Sequence, residues 1–357
     1  MRIAIDASRC TVSRVTGTEN YAIRLIAALI RLNTTHRLTL YFRDQPRPDL
    51  FPSSPLADYR VIPFHRAWTH LRFAAELWRD RPDLTFVPAH TLPVLFPGRA
   101  VVTVHDLGFK HFPQAHPPRQ RAYLGWTTRY SAHRASLVLA DSQATAADLH
   151  NFYGTPLAKI RVVYPGVEKL AVADLATVRR KYNLPERYWL FIGTLQPRKN
   201  IARLVQAYRL WRAQNPADSA ALVLAGGQGW LYDPAWIQGV EGVHTTGYID
   251  DADKGALYAG ALALVFPSLY EGFGFPVLEA MGVGTPVIAS RTSSLPELVG
   301  SAGLLVDPLE VSSIAQAMTQ LVRDKSLSAS LRQHGAAQAS TFTWESAAQQ
   351  ALAALES

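Results

Sequence analysis

Residues 262–290 read LALVFPSLYEGFGFPVLEAMGVGTPVIAS. Leu262–Phe266 is a short apolar run of the kind a buried strand has, and Pro286–Ala289 is a second. Between them Glu271-Gly272-Phe273-Gly274-Phe275 forms a turn, and Pro276–Met281 has the composition of a helix. Proline suits a helix start, where its missing N–H costs nothing. The two glycines permit close backbone approach. Strand, turn, helix and strand in about thirty residues make a βαβ unit, and such units build parallel sheets.

The same alternation extends in both directions. Strands are predicted at Arg2–Asp6, Leu38–Phe42, Arg60–Ile62, Leu84–Val87, Val101–Val104, Leu137–Ala140 and Arg161–Val163. Helices are predicted over Thr18–Leu32, Ala67–Arg79, Arg119–Arg134 and Ser142–Phe152. The pattern restarts with a strand at Trp189–Ile192, a helix at Ile201–Gln214, a strand at Ala221–Leu224 and a helix at Asp250–Ala259. From Glu310 to Leu355 the chain is mostly helical in pattern. The stretch Tyr164–Glu186 holds no clear strand, and Pro165-Gly166 opens it, so the domain boundary is placed there. The expectation is two doubly wound α/β units in tandem: residues 1–168, residues 169–340, and a last helix over 341–357 that returns to the first. Ligands of such sheets bind outside the carboxyl ends of the strands.

Composition sets limits. With 357 residues, 48% hydrophobic and 18% charged, the chain is globular and long enough for two cores. No apolar run reaches the ~18 residues of a membrane span. The first residues, MRIAIDAS, read as a buried strand and not as a signal peptide. Cys10 is the only cysteine, which excludes an intrachain disulfide and a four-cysteine metal site. A cytoplasmic setting fits. The net charge of +8 is unevenly placed. Residues 1–170 carry 22 Lys+Arg against 12 Asp+Glu, and the remainder 14 against 16. Either this is a solvated arginine-rich surface, or the first half attracts an anionic partner: a phosphorylated acceptor or an acidic membrane. No Lys/Arg block and no nucleic-acid motif accompanies it, so nucleic acid is not expected.

The 268–290 segment offers a helix start with donor N–H groups and a positive dipole end, suited to phosphate or sugar hydroxyls. Glu279, a turn into the helix, can accept hydrogen bonds from a ribose diol, and Glu271 can orient a sugar. Taken alone the segment is equally an ordinary strand–turn–helix. A second stretch joins it. In LFIGTLQPRKN (190–200), Gly193 ends a strand, and Arg198 and Lys199 precede a helix for which Asn200 is the expected N-cap. Two adjacent cations there can neutralise a diphosphate. Asp251-Ala252-Asp253 spells a DxD, yet acids opening a helix stabilise its dipole, and that reading is preferred. With no HExxH or EF-hand spacing, no catalytic metal is expected.

Gly193…Arg198-Lys199 combined with Glu271-x7-Glu279 resembles the family 4 glycosyltransferases, also called glycosyl transferases group 1. VVTVHDLGF (101–109), LADSQATAADL (139–149), KIRVVYPGV (159–167), LVLAGGQG (222–229), SSLPELVGSAGLLVDP (293–308) and FTWESAAQQ (342–350) resemble further segments of that family in the same order. The resemblance implies the GT-B fold: two Rossmann-like domains facing across a cleft. It implies that Arg198 and Lys199 hold a donor diphosphate, Glu279 the ribose, and Glu271 with Gly272 and the amides of Phe273, Gly274 and Phe275 the sugar. The base is then expected near Gly226, Gly227, Tyr248 and Ile249. Gly17 resembles the family's glycine loop, although Arg14-Val15-Thr16-Gly17 lacks the usual glycine pair. His105 takes the place of a histidine that approaches the transferred sugar, with Asp106 either orienting it or capping its turn. His90 is a weaker acceptor-side candidate. Tyr21 and Asp141 rank lower, the latter as an expected cap for the helix near Ser142.

The implied activity is retaining, metal-independent transfer of a hexose from a nucleotide-diphosphate sugar to a glycan or lipid-diphosphate-linked acceptor. Segments around His90, His105 and Tyr164-Pro165-Gly166-Val167 look most like bacterial mannosyl- or rhamnosyltransferases of surface polysaccharides. This favours GDP-mannose over a UDP-sugar as co-substrate, with no separate cofactor. Competing readings are an epimerase or sugar phosphorylase on the same architecture, or a silent sugar- or lipid-carrier-binding protein. The aromatic and basic helix from Arg66 to Arg79 either lies on an anionic membrane or packs its aromatics on the sheet, and packing is preferred. A protein peripheral to the inner face of a membrane is compatible with both.

Overall fold

The computed structural model of the protein describes residues 1–12 and 17–357. They divide into two compact units, Met1–Gly166 with Phe342–Ser357, and Val167–Thr341. Arg14, Val15 and Thr16 of the expected glycine loop lie outside the described residues; Gly17 opens a helix.

Seven strands form the sheet of the first unit: β1 (Arg2–Asp6), β2 (Arg37–Phe42), β3 (Ala57–Val61), β4 (Leu84–Val87), β5 (Arg99–Val104), β6 (Leu137–Ala140) and β7 (Ile160–Val162). Their order is β3-β2-β1-β4-β5-β6-β7, with every pairing parallel. Ile3 lies opposite Leu38 on one side and Leu84 on the other. The central strands are buried on both faces, which is why they read as unbroken apolar runs. Each buried Leu, Val or Phe contributes about 1.5–3 kcal/mol.

Helix Gly17–Leu32 buries Tyr21, Ala22, Leu25, Ile26 and Leu29. It packs against helix Trp344–Glu356, whose inner face of Ala347, Ala348, Ala351 and Ala354 is small enough for close approach. Thr343 caps that helix by accepting from the N–H of Ser346 at 3.1 Å. The segment expected to be one helix over Ala67–Arg79 begins with a π-helical turn at Thr69–Phe73 and continues as an α-helix at Ala74–Asp80. Trp68, Phe73 and Leu77 are buried, with Trp68 and Phe73 stacked at 5.1 Å. Arg72 and Arg79 both pair with the buried carboxylate of Glu76.

The second unit has six parallel strands: β8 (Tyr188–Ile192), β9 (Ala221–Ala225), β10 (Val243–Gly247), β11 (Leu264–Phe266), β12 (Val287–Ser290) and β13 (Leu304–Val306). They run in the order β10-β9-β8-β11-β12-β13. Strands β10 and β13 and the helix Leu175–Tyr182 go beyond the elements expected from sequence. From β8 the chain winds outward to β10, then returns to place β11 against the other side of β8. Strand order therefore reverses between β8 and β11, and the loops leaving their carboxyl ends diverge around a crevice. In the first unit the same reversal falls between β1 and β4.

Candidate functional site

The loops after β8 and β11 bring together residues about seventy positions apart in sequence. Beyond β8, Gly193 donates its N–H to Ala225 at 2.8 Å, and Leu195 donates to the carbonyl of Gly227 at 2.9 Å. A 3-10 turn then spans Pro197–Lys199. Asn200 follows with φ +62°, and its side chain does not cap the helix Ile201–Gln214 as expected. Its amide Nδ2 instead donates to the carbonyls of Pro267 at 3.0 Å and Pro308 at 2.6 Å, tying three loops together. The left-handed backbone turns that side chain toward the neighbouring loops.

This buckle sets Arg198 and Lys199 against the loop after β11. The N–H of Leu269 donates to the Arg198 carbonyl, and Arg198 Nη1 donates to the carbonyl of Tyr270, both at 2.9 Å. Lys199 Nζ meets Glu271 Oε1 at 2.6 Å, and Arg198 Nη1 meets Glu271 Oε2 at 3.2 Å. Lys199 also lies over the Phe266 ring at 4.9 Å. Burial works against a charge on Glu271, but Lys199 and then Arg198 outweigh it and hold its pKa below the usual carboxylate range. The trio thus carries two positive charges against one negative. A buried cluster with a surplus cation favours an incoming anion, and Arg and Lys are the residues that meet phosphate oxygens. The geometry adds a fact the sequence did not reveal: the two cations and Glu271 are bonded to one another.

Gly274 has φ +137°, and a Cβ there would stand 2.8 Å from Leu295 Cδ2, so only glycine fits ahead of helix Phe275–Gly282. Gly272 and Phe273 are buried in the same turn, and Phe275 is half-buried at the helix start. Glu279, in that helix, accepts from the Tyr258 hydroxyl at 2.9 Å. Burial raises the Glu279 pKa, while Lys254 and Tyr258 act in the opposite direction. Gly226 closes β9 with φ +138°, and a Cβ would collide with the Gly193 carbonyl oxygen at 2.1 Å. The ends of β8 and β9 are thereby pressed together beside Gly227. Beyond β10, Tyr248 is exposed and Ile249 is buried. Asp251 and Asp253 pair with Lys254 and Lys181, each at 2.6 Å. Among the described residues no group of three or more His, Cys, Asp or Glu is arranged to hold a metal ion.

A second polar cluster lies at the carboxyl ends of the first unit's strands. His105 follows β5, and Asp141 follows β6. Because Val104 is in register with Ala140, the next residue of each strand falls side by side. His105 Nδ1 and Asp141 Oδ2 are 2.7 Å apart, and His105 Nε2 lies 3.2 Å from the Pro88 carbonyl. A carbonyl only accepts, so Nε2 carries a proton; the Asp141 contact holds a second between the two groups. Burial lowers the His105 pKa, but the charge and hydrogen bond of Asp141 raise it further, and the net shift is upward. The backbone N–H of His105 donates to His90 Nε2 at 3.0 Å. His90 is held neutral by burial and then by the charge of His105, which bring its pKa down to about 4.

Asp106 accepts from the N–H of Gly108 at 2.7 Å and caps its turn. The expected capping role of Asp141 belongs to Ser142, which accepts from the N–H of Thr145 at 3.1 Å. Tyr21 sets its ring edge-on to His105 at 4.7 Å. Sequence reading overlooked the His105–Asp141 pair, although placement after adjacent parallel strands is the signal that could have found it. It also overlooked Tyr258 and Ser293, which act on site residues from a distance in sequence.

Residues 15–169 match the family Glycosyltransferase Family 4, and residues 186–324 match Glycosyl transferases group 1. The O-antigen chain mannosyltransferase B of Escherichia coli is 32% identical over 364 residues, covering 95% of each chain. Among solved structures, the sucrose-phosphate synthase of Thermosynechococcus elongatus superposes with a TM-score of 0.78 at 23% identity, covering 99% of this chain and 98% of that one. HepE of Anabaena, solved in complex with UDP-glucose, gives 0.74 at 18% identity over 100% and 99% of the two chains. A relative of such identity and nearly equal length places this chain in family 4 of the glycosyltransferases, enzymes that transfer sugars, and its two parallel-sheet units are those of the GT-B fold.

Proposed function

We propose that the chain transfers mannose, with retention of configuration and without a metal, from GDP-mannose to a glycan or lipid-diphosphate-linked acceptor of a surface polysaccharide. The observation that carries this reading is the Arg198–Lys199–Glu271 cluster and its surplus positive charge at the β8/β11 switch point. When a nucleoside diphosphate leaves the sugar, negative charge builds on the leaving oxygens, and preorganised cations lower that barrier most. Arg198 and Lys199 are assigned to the diphosphate, with the Gly274 turn and the helix start beside them. Glu271 keeps both side chains aimed before the donor arrives and faces its sugar.

Glu279 is assigned to the ribose; Tyr258 occupies Oε2, which leaves Oε1 for a hydroxyl. Gly226, Gly227, Tyr248 and Ile249 are assigned to the base, Gly193 to the donor beside them, and Gly17 to the donor from the first unit. His105, fixed by Asp141, is assigned to the transferred sugar, and His90 and Asp106 to the acceptor side. Pairing of Asp251 and Asp253 with lysines supports the metal-free reading. The departing phosphate takes the proton of the attacking hydroxyl.

The mannosyl donor is favoured because a relative covering nearly the whole chain is named for mannosyl transfer. On the acceptor side, helix Pro118–Arg134 carries Arg119, Arg121, Arg129 and Arg134 and no acid, with Tyr123 and Trp126 exposed between them. That combination suits an anionic, lipid-borne acceptor and the surface that holds it. Supplying GDP-mannose and UDP-glucose separately with lipid-linked acceptors, and determining product and anomeric form, tests the proposal. An α-mannosylated product, formed in the presence of chelator, is expected. Glucose transfer, a product without acceptor, or activity that returns only with a divalent ion would each overturn its part.

A further inference from the structure

Immediately after β12, three consecutive hydroxyl residues turn toward the loop that carries Glu271. Thr292 Oγ1 donates to the carbonyl of Leu269 at 3.4 Å. Ser293 Oγ accepts the N–H of Glu271 at 2.9 Å. Ser294 Oγ, wholly buried, reaches the carbonyls of Glu271, at 3.0 Å, and Phe273. The peptide groups on both sides of the Glu271 Cα are thus held by adjacent serines, while its carboxylate is held by Lys199 and Arg198.

Ser293 is also conformationally unusual. Its φ of +54° lies in the left-handed region, which residues with a Cβ avoid and glycine adopts freely. A glycine at this position would relieve the backbone, but it would lack the oxygen that accepts the Glu271 N–H. Such strain persists where the surroundings over-determine it, and it concentrates at working sites.

We propose that Ser293 is a positioning residue for sugar transfer: its hydroxyl fixes the backbone of Glu271, and through that carboxylate the aim of Lys199 and Arg198 at the donor. The inference rests on the donor-site assignment above. It separates stability from activity at one position. Ser293→Gly suits the left-handed backbone, removes the strain and deletes the hydroxyl together with its Cβ. Ser293→Ala deletes the hydroxyl and keeps the strain.

The expected result is a thermal midpoint for Ser293→Gly equal to or above that of the parent, with kcat/KM about tenfold lower and most of the loss in kcat. Ser293→Ala should show the same loss of turnover at a lower midpoint. The assay uses GDP-mannose, or UDP-glucose should that be the donor the parent turns over, with Lys199→Ala measured alongside. Parent-like kcat in Ser293→Gly, with Lys199→Ala crippled, overturns the positioning role and leaves the donor site standing. Activity that follows the thermal midpoint across the two serine variants overturns it as well, since that is the behaviour of a merely structural residue. Near-normal turnover in Lys199→Ala overturns both the donor site and the role of Ser293.

Discussion

Each unit gathers charged side chains at the carboxyl ends of its parallel strands, yet the two clusters are built to opposite ends. In the second unit Arg198 and Lys199 share the carboxylate of Glu271, two cations on one anion. In the first, His105 and Asp141 answer one another, and the remaining ring nitrogen is taken by the Pro88 carbonyl. The surplus arginines of that unit lie outside the pair, on helix Pro118–Arg134. In the proposed function one arrangement offers charge to a ligand. The other keeps a proton and a ring in fixed places and offers its charge at the surface.

The largest effect is expected where charge is offered. Lys199→Ala removes the cation closest to Glu271 and should lower kcat/KM about a hundredfold, or ~2.7 kcal/mol of transition-state stabilisation. Glu279→Ala, which touches the ribose in the proposed site, should cost about tenfold. Steady-state kinetics on both variants checks the assignment. Near-parental values in the pair would remove the ground for calling the second unit's cluster a donor site.

A smaller effect is expected where charge is kept. Asp141→Asn removes the largest influence raising the His105 pKa against burial. A histidine whose pKa is raised on folding adds stability below its unfolded value of about 6.5, and that gain disappears as pH rises through the folded value. The variant should therefore be less stable by about 2 kcal/mol near pH 5.5, and the gap to the parent should narrow toward pH 8.5. Denaturant unfolding at the two pH values reads this directly. A gap that widens with pH would show that Asp141 does not hold a proton on His105.

The clusters also differ in how far the sequence disclosed them. Arg198, Lys199 and Glu271 were visible because they stand in strand–turn–helix junctions marked by Pro197 and Gly272, and Glu279 because it falls about a turn into the helix that follows. Their mutual bonding was not, since it depends on β11 returning to the side of β8. Asp141 was read as a cap because an acid before a helix commonly is one. The register of β5 with β6 decided otherwise, and register is a tertiary property. Strand β10, VHTTG, was missed because it is half-exposed and polar, and β13 because it has three residues. Helix Leu175–Tyr182 buries only Val178, so apolar periodicity gave no signal, although Asp174 as its cap was there to be read. Asn200 failed as a predicted cap because its backbone is left-handed, which residue type alone does not specify.

The smallest effect tests the surface charge of the first unit. Among the described residues Arg119, Arg121, Arg129 and Arg134 form no ion pair, and their helix exposes Tyr123 and Trp126 about halfway. An arginine near an anionic bilayer strengthens adsorption by about fivefold, and exposed tyrosine and tryptophan favour the interface. Arg129→Gln should lower partition to vesicles of anionic phospholipid by about fivefold, with no change in partition to neutral vesicles. Transfer to a short, uncharged, water-soluble acceptor should remain at the parental rate, because such an acceptor lacks the anionic lipid and the surface that this helix is proposed to meet. Equal partition of parent and variant would leave the basic half as solvated surface. Loss of transfer to the soluble acceptor would instead move the arginine into the acceptor site, and the contrast between charge inside one unit and outside the other would have to be redrawn.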